Sequence, residues 1–263
     1  MPKYKKMVSI FIDIIGYQNI TNFNKKYEIH RLFHEEVQIH KKRQEQIPHV
    51  IYDRKIYAFS DCAYFFFYYK NDIEDSRKDD TNLIYIAAYN VSLTMIRLMS
   101  KGYLLRGGIT FGDVYIDELG FFGPAVERAY EIESKEAEFP RLQFDFDIGK
   151  DIFEWEHKID NKSQELVNIY NEIPFVTEFD KKSYFVNPFN IIQRSVDFII
   201  GNDILNIEEV KSVLISKIEN DLKTYSNIPK IVRKLEWMKN YISTKELLLN
   251  TNIAPFSVSS TIG

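Results

Sequence analysis

Two aspartates occupy places where an apolar residue would be the ordinary choice. Asp13 stands in the middle of SIFIDIIGYQNI, Ser9 to Ile20, and is followed by Gly16; Asp61 sits 48 residues later in KIYAFSDCAYF, between two aromatic and β-branched runs. Two carboxylates brought to one end of a sheet suit hard, oxygen-seeking cations. Mg²⁺ or Mn²⁺ held by two carboxylates and substrate phosphates is a common arrangement for phosphoryl transfer, and two ions per site can serve the attacking and leaving oxygens. A plainer account also fits, with Asp13 a strand-end carboxylate bonded to a nearby amide and Asp61 an ordinary turn residue. Spacing alone leaves both open.

The elements that must position this pair are legible as patterns. Val8 to Ile15 reads as a buried strand, and Ile20 to Gln46 as a helix ended by Pro48. HVIYDRKIYAFSDCAYFFFYY reads as a hairpin turning at Phe59-Ser60-Asp61, with YFFFYY a strand buried on both faces. A charged loop, NDIEDSRKDDTN, precedes a helix over Leu83 to Ser100 that Gly102 closes. YLLRGGITFGDVYI reads as a strand pair or bent strand whose glycines suggest a bulge or close approach by a ligand, GPAVERAYEIESKEAE as a helix, and FPRLQFDFDI as a further strand. This order predicts an α+β fold of the ferredoxin-like or palm type over residues 1–150. Residues 151–263 read as an α-rich extension packed on it, with a short strand in KSYFVNPF, helices over Ile207 to Tyr225 and Pro229 to Ile242, and a loose tail, TNIAPFSVSSTIG.

Composition narrows the function classes. The 263 residues carry a net charge of -4, without the basic excess of a protein that binds duplex nucleic acid. Cys62 is the single cysteine, which excludes an internal disulfide framework, and it has no histidine beside it to make it a nucleophile. No apolar stretch is long enough for a membrane span, and the N-terminal run has no cleavage-site pattern, so a cytoplasmic protein is expected. His30 and His34, four residues apart on the first helix, lack a third zinc ligand in sequence and read as surface residues.

The succession FIDIIGY, KIYAFSDCAYF, LLRGGITFGDVY and GFFGPAVERAYEIES, over about Val8 to Asp147, resembles the catalytic domain of class III nucleotide cyclases. The finer texture, in FSD, RGGITFGD, GPAVERAYEIE, FPRL, KSYFVNPF and KLEWMKNYI, resembles the Pycsar pyrimidine cyclases of bacterial anti-phage defence over nearly the whole chain. The resemblance implies that Asp13, Asp61 and the backbone carbonyl of Ile14 hold two Mn²⁺ or Mg²⁺ ions. It implies that the amides from Ile15 through Gly16 to Tyr17 lie near a triphosphate, and that Arg106 contacts that triphosphate with its planar fork. It further implies conversion of UTP, or alternatively CTP, to a 3',5'-cyclic monophosphate and pyrophosphate, a head-to-tail homodimer with composite sites, and a separate effector protein that senses the product.

Two departures from the purine cyclases stand out. Their base-reading lysine and aspartate are replaced by Tyr57 and Gly120; the larger Tyr57 would narrow the pocket and offer a hydroxyl and a stacking face to a pyrimidine. The asparagine and arginine that the partner subunit presents in that family fall on Glu127 and Glu131, and neither can do an arginine's work. Arg128 and Arg141 are the candidate substitutes. Two rival readings stand beside this one: a purine cyclase or related palm-domain polymerase that uses the same metal pair with a different base, and a cyclase-like domain that has lost catalysis and only binds a nucleotide or a protein.

Overall fold

The computed structural model of the chain describes residues 2–46, 49–162, 177–189, 198–200 and 203–249. Pro48 and the C-terminal tail, both singled out in the sequence, lie outside the described residues. The first half runs β1 (Lys5–Ile14), α1 (Phe23–Gln46), β2 (Tyr52–Phe59), β3 (Cys62–Tyr69), α2 (Asp80–Met99), β4 (Leu105–Ile116), β5 (Phe121–Phe122), α3 (Pro124–Glu131) and β6 (Leu142–Phe144). The second runs α4 (Phe146–Lys162), β7 (Thr177–Phe179), β8 (Tyr184–Val186), the hairpin β9 (Phe198–Ile200) and β10 (Asp203–Leu205), α5 (Ile207–Thr224) and α6 (Pro229–Leu249).

The first six long elements form a βαββαβ unit with antiparallel sheet order β2-β3-β1-β4, the split arrangement of ferredoxin-like and palm folds. The fold is α+β, as the element order predicts. β6 then joins β4 in parallel, and β8 and β7 continue the same sheet, so the C-terminal half supplies two strands to it.

Period-two alternation assigns the two faces of the sheet. Val8, Ile10, Ile12 and Ile14 of β1 point into the large core with α1 and α2, while Met7 and Phe11 point to the second face, with Cys62, Tyr64, Phe66 and Val114, beneath Ala125 and Ala129 of α3. Cover on both sides explains why β1 and β3 are almost continuously apolar. Asp13, an odd-numbered residue, shares the second face with Phe11.

Several expectations meet corrections. Of the two readings of YLLRGGITFGDVYI the strand pair is overturned, since Leu105–Ile116 is one twelve-residue strand, β4, and Gly108 serves packing. A Cβ on Gly108 would lie 2.3 Å from the Ala129 carbonyl and 2.7 Å from the Ile132 Cβ, so α3 rests directly on the β4 backbone. Gly108→Ala should therefore cost at least about 2 kcal/mol and lower the thermal midpoint by roughly 5 °C, measured by circular dichroism. FPRLQFDFDI is strand only over Leu142–Phe144; Phe146 already belongs to α4, whose Gly149 amide donates to the Asp145 carbonyl at 2.8 Å. The FDFD alternation mimics a strand, but the helix wins because it buries Ile152 against the core.

Candidate active site

The hairpin and β1 bring the two aspartates together through backbone bonding. β2 and β3 are joined by the two-residue turn Ser60-Asp61, with Ser60 in the left-handed region (φ 55). Asp13 pairs with Cys62 on one side and with Arg106 on the other, and the Ile14 amide donates to the Asp61 carbonyl at 3.1 Å. Asp13, Asp61 and Arg106 thus meet at one end of the sheet. Burial first, then the charge of Asp61, then that of Glu133, push the Asp13 carboxyl up to about 7, against the opposing pull of Arg106. Negative charge is therefore undercompensated here, and the protonated form of Asp13 is favoured up to near neutral pH.

Glu133 is the residue that sequence reasoning missed. α3 ends in a π turn over Ile132–Glu136, closed by the Ala137 amide donating to the Ile132 carbonyl at 2.7 Å, and this turn buries Glu133 to 4% exposure. Arg106 Nε donates to Glu133 Oε1 at 2.6 Å, and a second guanidinium nitrogen reaches the same oxygen. A helical wheel begun at Pro124 carries the signal: Ala125, Ala129, Ile132 and Glu133 share one buried stripe.

The other expected residues are placed as follows. Gly16 adopts φ 82, and a Cβ there would meet nothing within 4 Å, so the chain past β1 is open. The Ile15 amide is already committed to the Leu104 carbonyl at 2.9 Å, which leaves the amides of Gly16 and Tyr17 as those available to an anion. Tyr57 lies on the same sheet face as Asp13, two strands and two residues away, roughly 12 Å by strand geometry. Its ring packs on Phe121 and Phe66, and its hydroxyl donates to the Asp117 carbonyl at 3.4 Å. Gly120 sits in the β4–β5 turn at φ 146.

Neither candidate substitute for the missing arginine is free. Arg128 is bonded to Asp145 at 2.7 Å and to Glu136; buried Arg141 is bonded to Asp180 and to Ser183 Oγ at 2.6 Å. Glu127 is exposed, and Glu131 pairs with Lys135 one turn on at 2.8 Å. The Cys62 thiol, 3.4 Å from the Phe59 carbonyl, is pushed up to about 12 by burial and by the charges of Asp61 and Asp13, which removes it as a nucleophile at neutral pH. His30 and His34 are exposed and touch edge to face at 4.3 Å; His40 is buried, with Thr94 Oγ1 at 3.2 Å and Arg54 donating to it at 3.1 Å. Among the described residues no group of three or more His, Cys, Asp or Glu side chains could by itself hold a metal ion, and no helix is long and apolar enough to cross a membrane.

No protein-family model and no curated protein matches the chain. Solved structures similar to it include the monomeric guanylyl cyclase domain of the RhoGC fusion protein from the aquatic fungus Blastocladiella emersonii, at 16% identity over 70% of this chain and 95% of that one, with a TM-score of 0.39. A class III adenylyl cyclase-like ATP-binding protein from Pseudomonas aeruginosa is similar at 14% identity over 57% of this chain and 35% of that one, with a TM-score of 0.42. A bacterial light-regulated adenylyl cyclase is similar at 15% identity over 57% and 46%, with a TM-score of 0.38.

Proposed function

We propose that the chain is a nucleotide cyclase acting on a pyrimidine nucleoside triphosphate, UTP ahead of CTP. The observation that carries this reading is the meeting of Asp13, Asp61 and Arg106 at the open end of the sheet, set by the Asp13–Cys62 and Asp13–Arg106 register and the Ile14 amide on the Asp61 carbonyl. Two carboxylates brought together at a partly buried sheet end are a donor set suited to a hard divalent cation, with substrate phosphates supplying the remaining oxygens. Asp13 and Asp61, with the Ile14 carbonyl, would hold Mn²⁺ or Mg²⁺, two ions per site, and such ions would supply Lewis-acid activation and charge neutralisation.

The chain's own residues then bind and align. Gly16 and Tyr17 amides face the phosphates, and Arg106 restrains the pyrophosphate. The ribose 3'-oxygen attacks the α-phosphorus, the bond from that phosphorus to the β-phosphate bridging oxygen breaks, pyrophosphate leaves and the hydroxyl proton passes to water. Tyr57, fixed by Phe66 and Phe121, narrows the base end of the groove toward a pyrimidine. Phe59, Leu119, Phe122 and Tyr130 are exposed large apolar side chains around this face, and they support a homodimer that completes the site. The cyclic product would serve as a second messenger, read by a separate effector in anti-phage defence, as the resemblance implies.

A second reading, a domain that binds a nucleotide without turning it over, is favoured by the Arg106–Glu133 pair and by glutamates at 127 and 131. One experiment separates the two: incubation of the purified protein with Mn²⁺ and each of ATP, GTP, CTP and UTP, with products identified by mass spectrometry. A cyclic pyrimidine monophosphate supports the first reading. Nucleotide binding without product supports the second, and a cyclic purine product would remove the argument from Tyr57. Given a pyrimidine product, Tyr57→Ala should reduce the preference for pyrimidine over purine about tenfold, read as the ratio of kcat/KM values.

A further inference from the structure

Helix α6 packs on the segment that leads from the π turn into β6, the strand beside the one that carries Arg106. Gly107 on β4 pairs in parallel with Leu142 on β6, so Arg106 and Arg141 are neighbours on adjacent strands, on the same face of the sheet. The Arg141 guanidinium lies over the Trp237 ring of α6, 5.4 Å from its centroid, and Trp237 also stacks on Phe139 at 4.9 Å. Arg233, four residues before Trp237, is bonded to Glu138. These contacts seat the N-terminal half of α6 on the segment that follows the π turn.

Lys230 and Lys234 stand four residues apart on α6, and Lys234 is one turn before Trp237, in line with it and Tyr241. Lys234 is half-buried, and among the described residues neither lysine has a carboxylate within ion-pair distance: Glu133 is taken by Arg106 and Glu138 by Arg233. Burial first, then the positive charges of Arg106 and Lys230, hold the Lys234 ammonium below the ordinary lysine range, while Glu133 and Glu138 pull the other way. The cluster is thus a partly desolvated excess of positive charge beside the Arg106–Glu133 pair, in want of an anion.

We propose that Lys234, assisted by Lys230, binds the polyphosphate tail of the nucleotide, so that a cation from the C-terminal extension does the work from which Glu133 partly withdraws Arg106. The assignment rests on the nucleoside triphosphate reading above and adds a residue from outside the βαββαβ unit to the site. The ammonium groups are point charges on flexible stems and can follow a mobile terminal phosphate, whereas the Arg106 fork is fixed by its carboxylate partner.

The test uses the full chain and inorganic tripolyphosphate, which has no ribose to cyclise, titrated calorimetrically in Mn²⁺, with UMP and CMP titrated in parallel. Lys234→Ala should weaken tripolyphosphate binding about ten- to hundredfold and leave monophosphate binding within about twofold. Lys234→Arg should recover most of the loss. Lys239→Ala, whose lysine pairs with Glu219 on the surface, should change neither. Lys234→Gln keeps most of the aliphatic stem, so if Lys234→Ala melts early, the Gln variant carries the comparison. Tripolyphosphate binding unchanged in a folded Lys234 variant, while the wild type still binds or cyclises a nucleotide, overturns the assignment and leaves the functional reading intact. Wild-type protein that binds neither tripolyphosphate nor any nucleoside triphosphate overturns both.

Discussion

Asp13→Asn should reduce Mn²⁺-dependent turnover by about a thousandfold or more while making the metal-free protein more stable at alkaline pH. The two effects have one cause. Asp13 in the folded chain titrates at about 7 against an ordinary 3.8, chiefly because burial and the Asp61 charge disfavour its ionised form. Between those values the folded state holds a proton that the unfolded state has released, so stability falls as pH rises through the window and is lowest above pH 7. Asparagine has no proton to lose. In EDTA the variant should exceed the wild type by about 1–2 kcal/mol at pH 8, a figure reduced for the partial exposure of the site, and the difference should vanish near pH 4. Added Mn²⁺ should raise the melting temperature of the wild type and not of the variant, because only a ligand that prefers the folded state stabilises it. Thermal melts over pH with and without Mn²⁺ check all three; an Asp13→Asn protein still stabilised by Mn²⁺ and still active would remove the acidic pair from the mechanism.

Arg141→Ala, outside the site, should cost about 3 kcal/mol of stability. Arg141 is 5% exposed and joins three elements: it bonds Asp180 and Ser183 before β8, reaches Gln143 Oε1 at 3.3 Å on β6, and lies over Phe185 and Trp237. Alanine removes the charge partner of Asp180 and empties the space between the sheet and α6. Chemical denaturation followed by circular dichroism gives the cost. Because Trp237 sits on the guanidinium, its fluorescence in a Trp155→Phe background should also shift toward that of an exposed indole at denaturant concentrations where the wild type is unchanged. An unaltered midpoint would mean that the joint holds without Arg141.

The backbone of the candidate site was legible in advance because its cues are local. The Val, Ile and Phe run of β1 is a buried strand by composition, the aromatic flanks around Ser60-Asp61 close a hairpin, and Gly102 ends α2 at φ 80, the conformation glycine adopts without strain. The extent of β4 and the start of α4 were misread for the same reason. Glycines and an alternating FDFD are ambiguous until something packs on them, and it was α3 lying on Gly108 and Ile152 reaching the core that resolved them.

By itself the sequence determined that an acid stands in a buried strand, that a second acid stands at a hairpin tip, and that the order of elements suits a ferredoxin-like or palm sheet able to bring them side by side. Only the tertiary structure decided who neutralises whom: that Glu133, carried inward by a π turn, takes Arg106, that Arg128 and Arg141 are spent on Asp145 and Asp180, and that Lys234 arrives from α6 without a carboxylate of its own. The physical reason is range. Strand alternation and turn preference act over a few residues, whereas the partner of a charge is whichever group folding brings within a few ångströms, and here such partners come from 27 and 39 positions away, with Lys234 farther still.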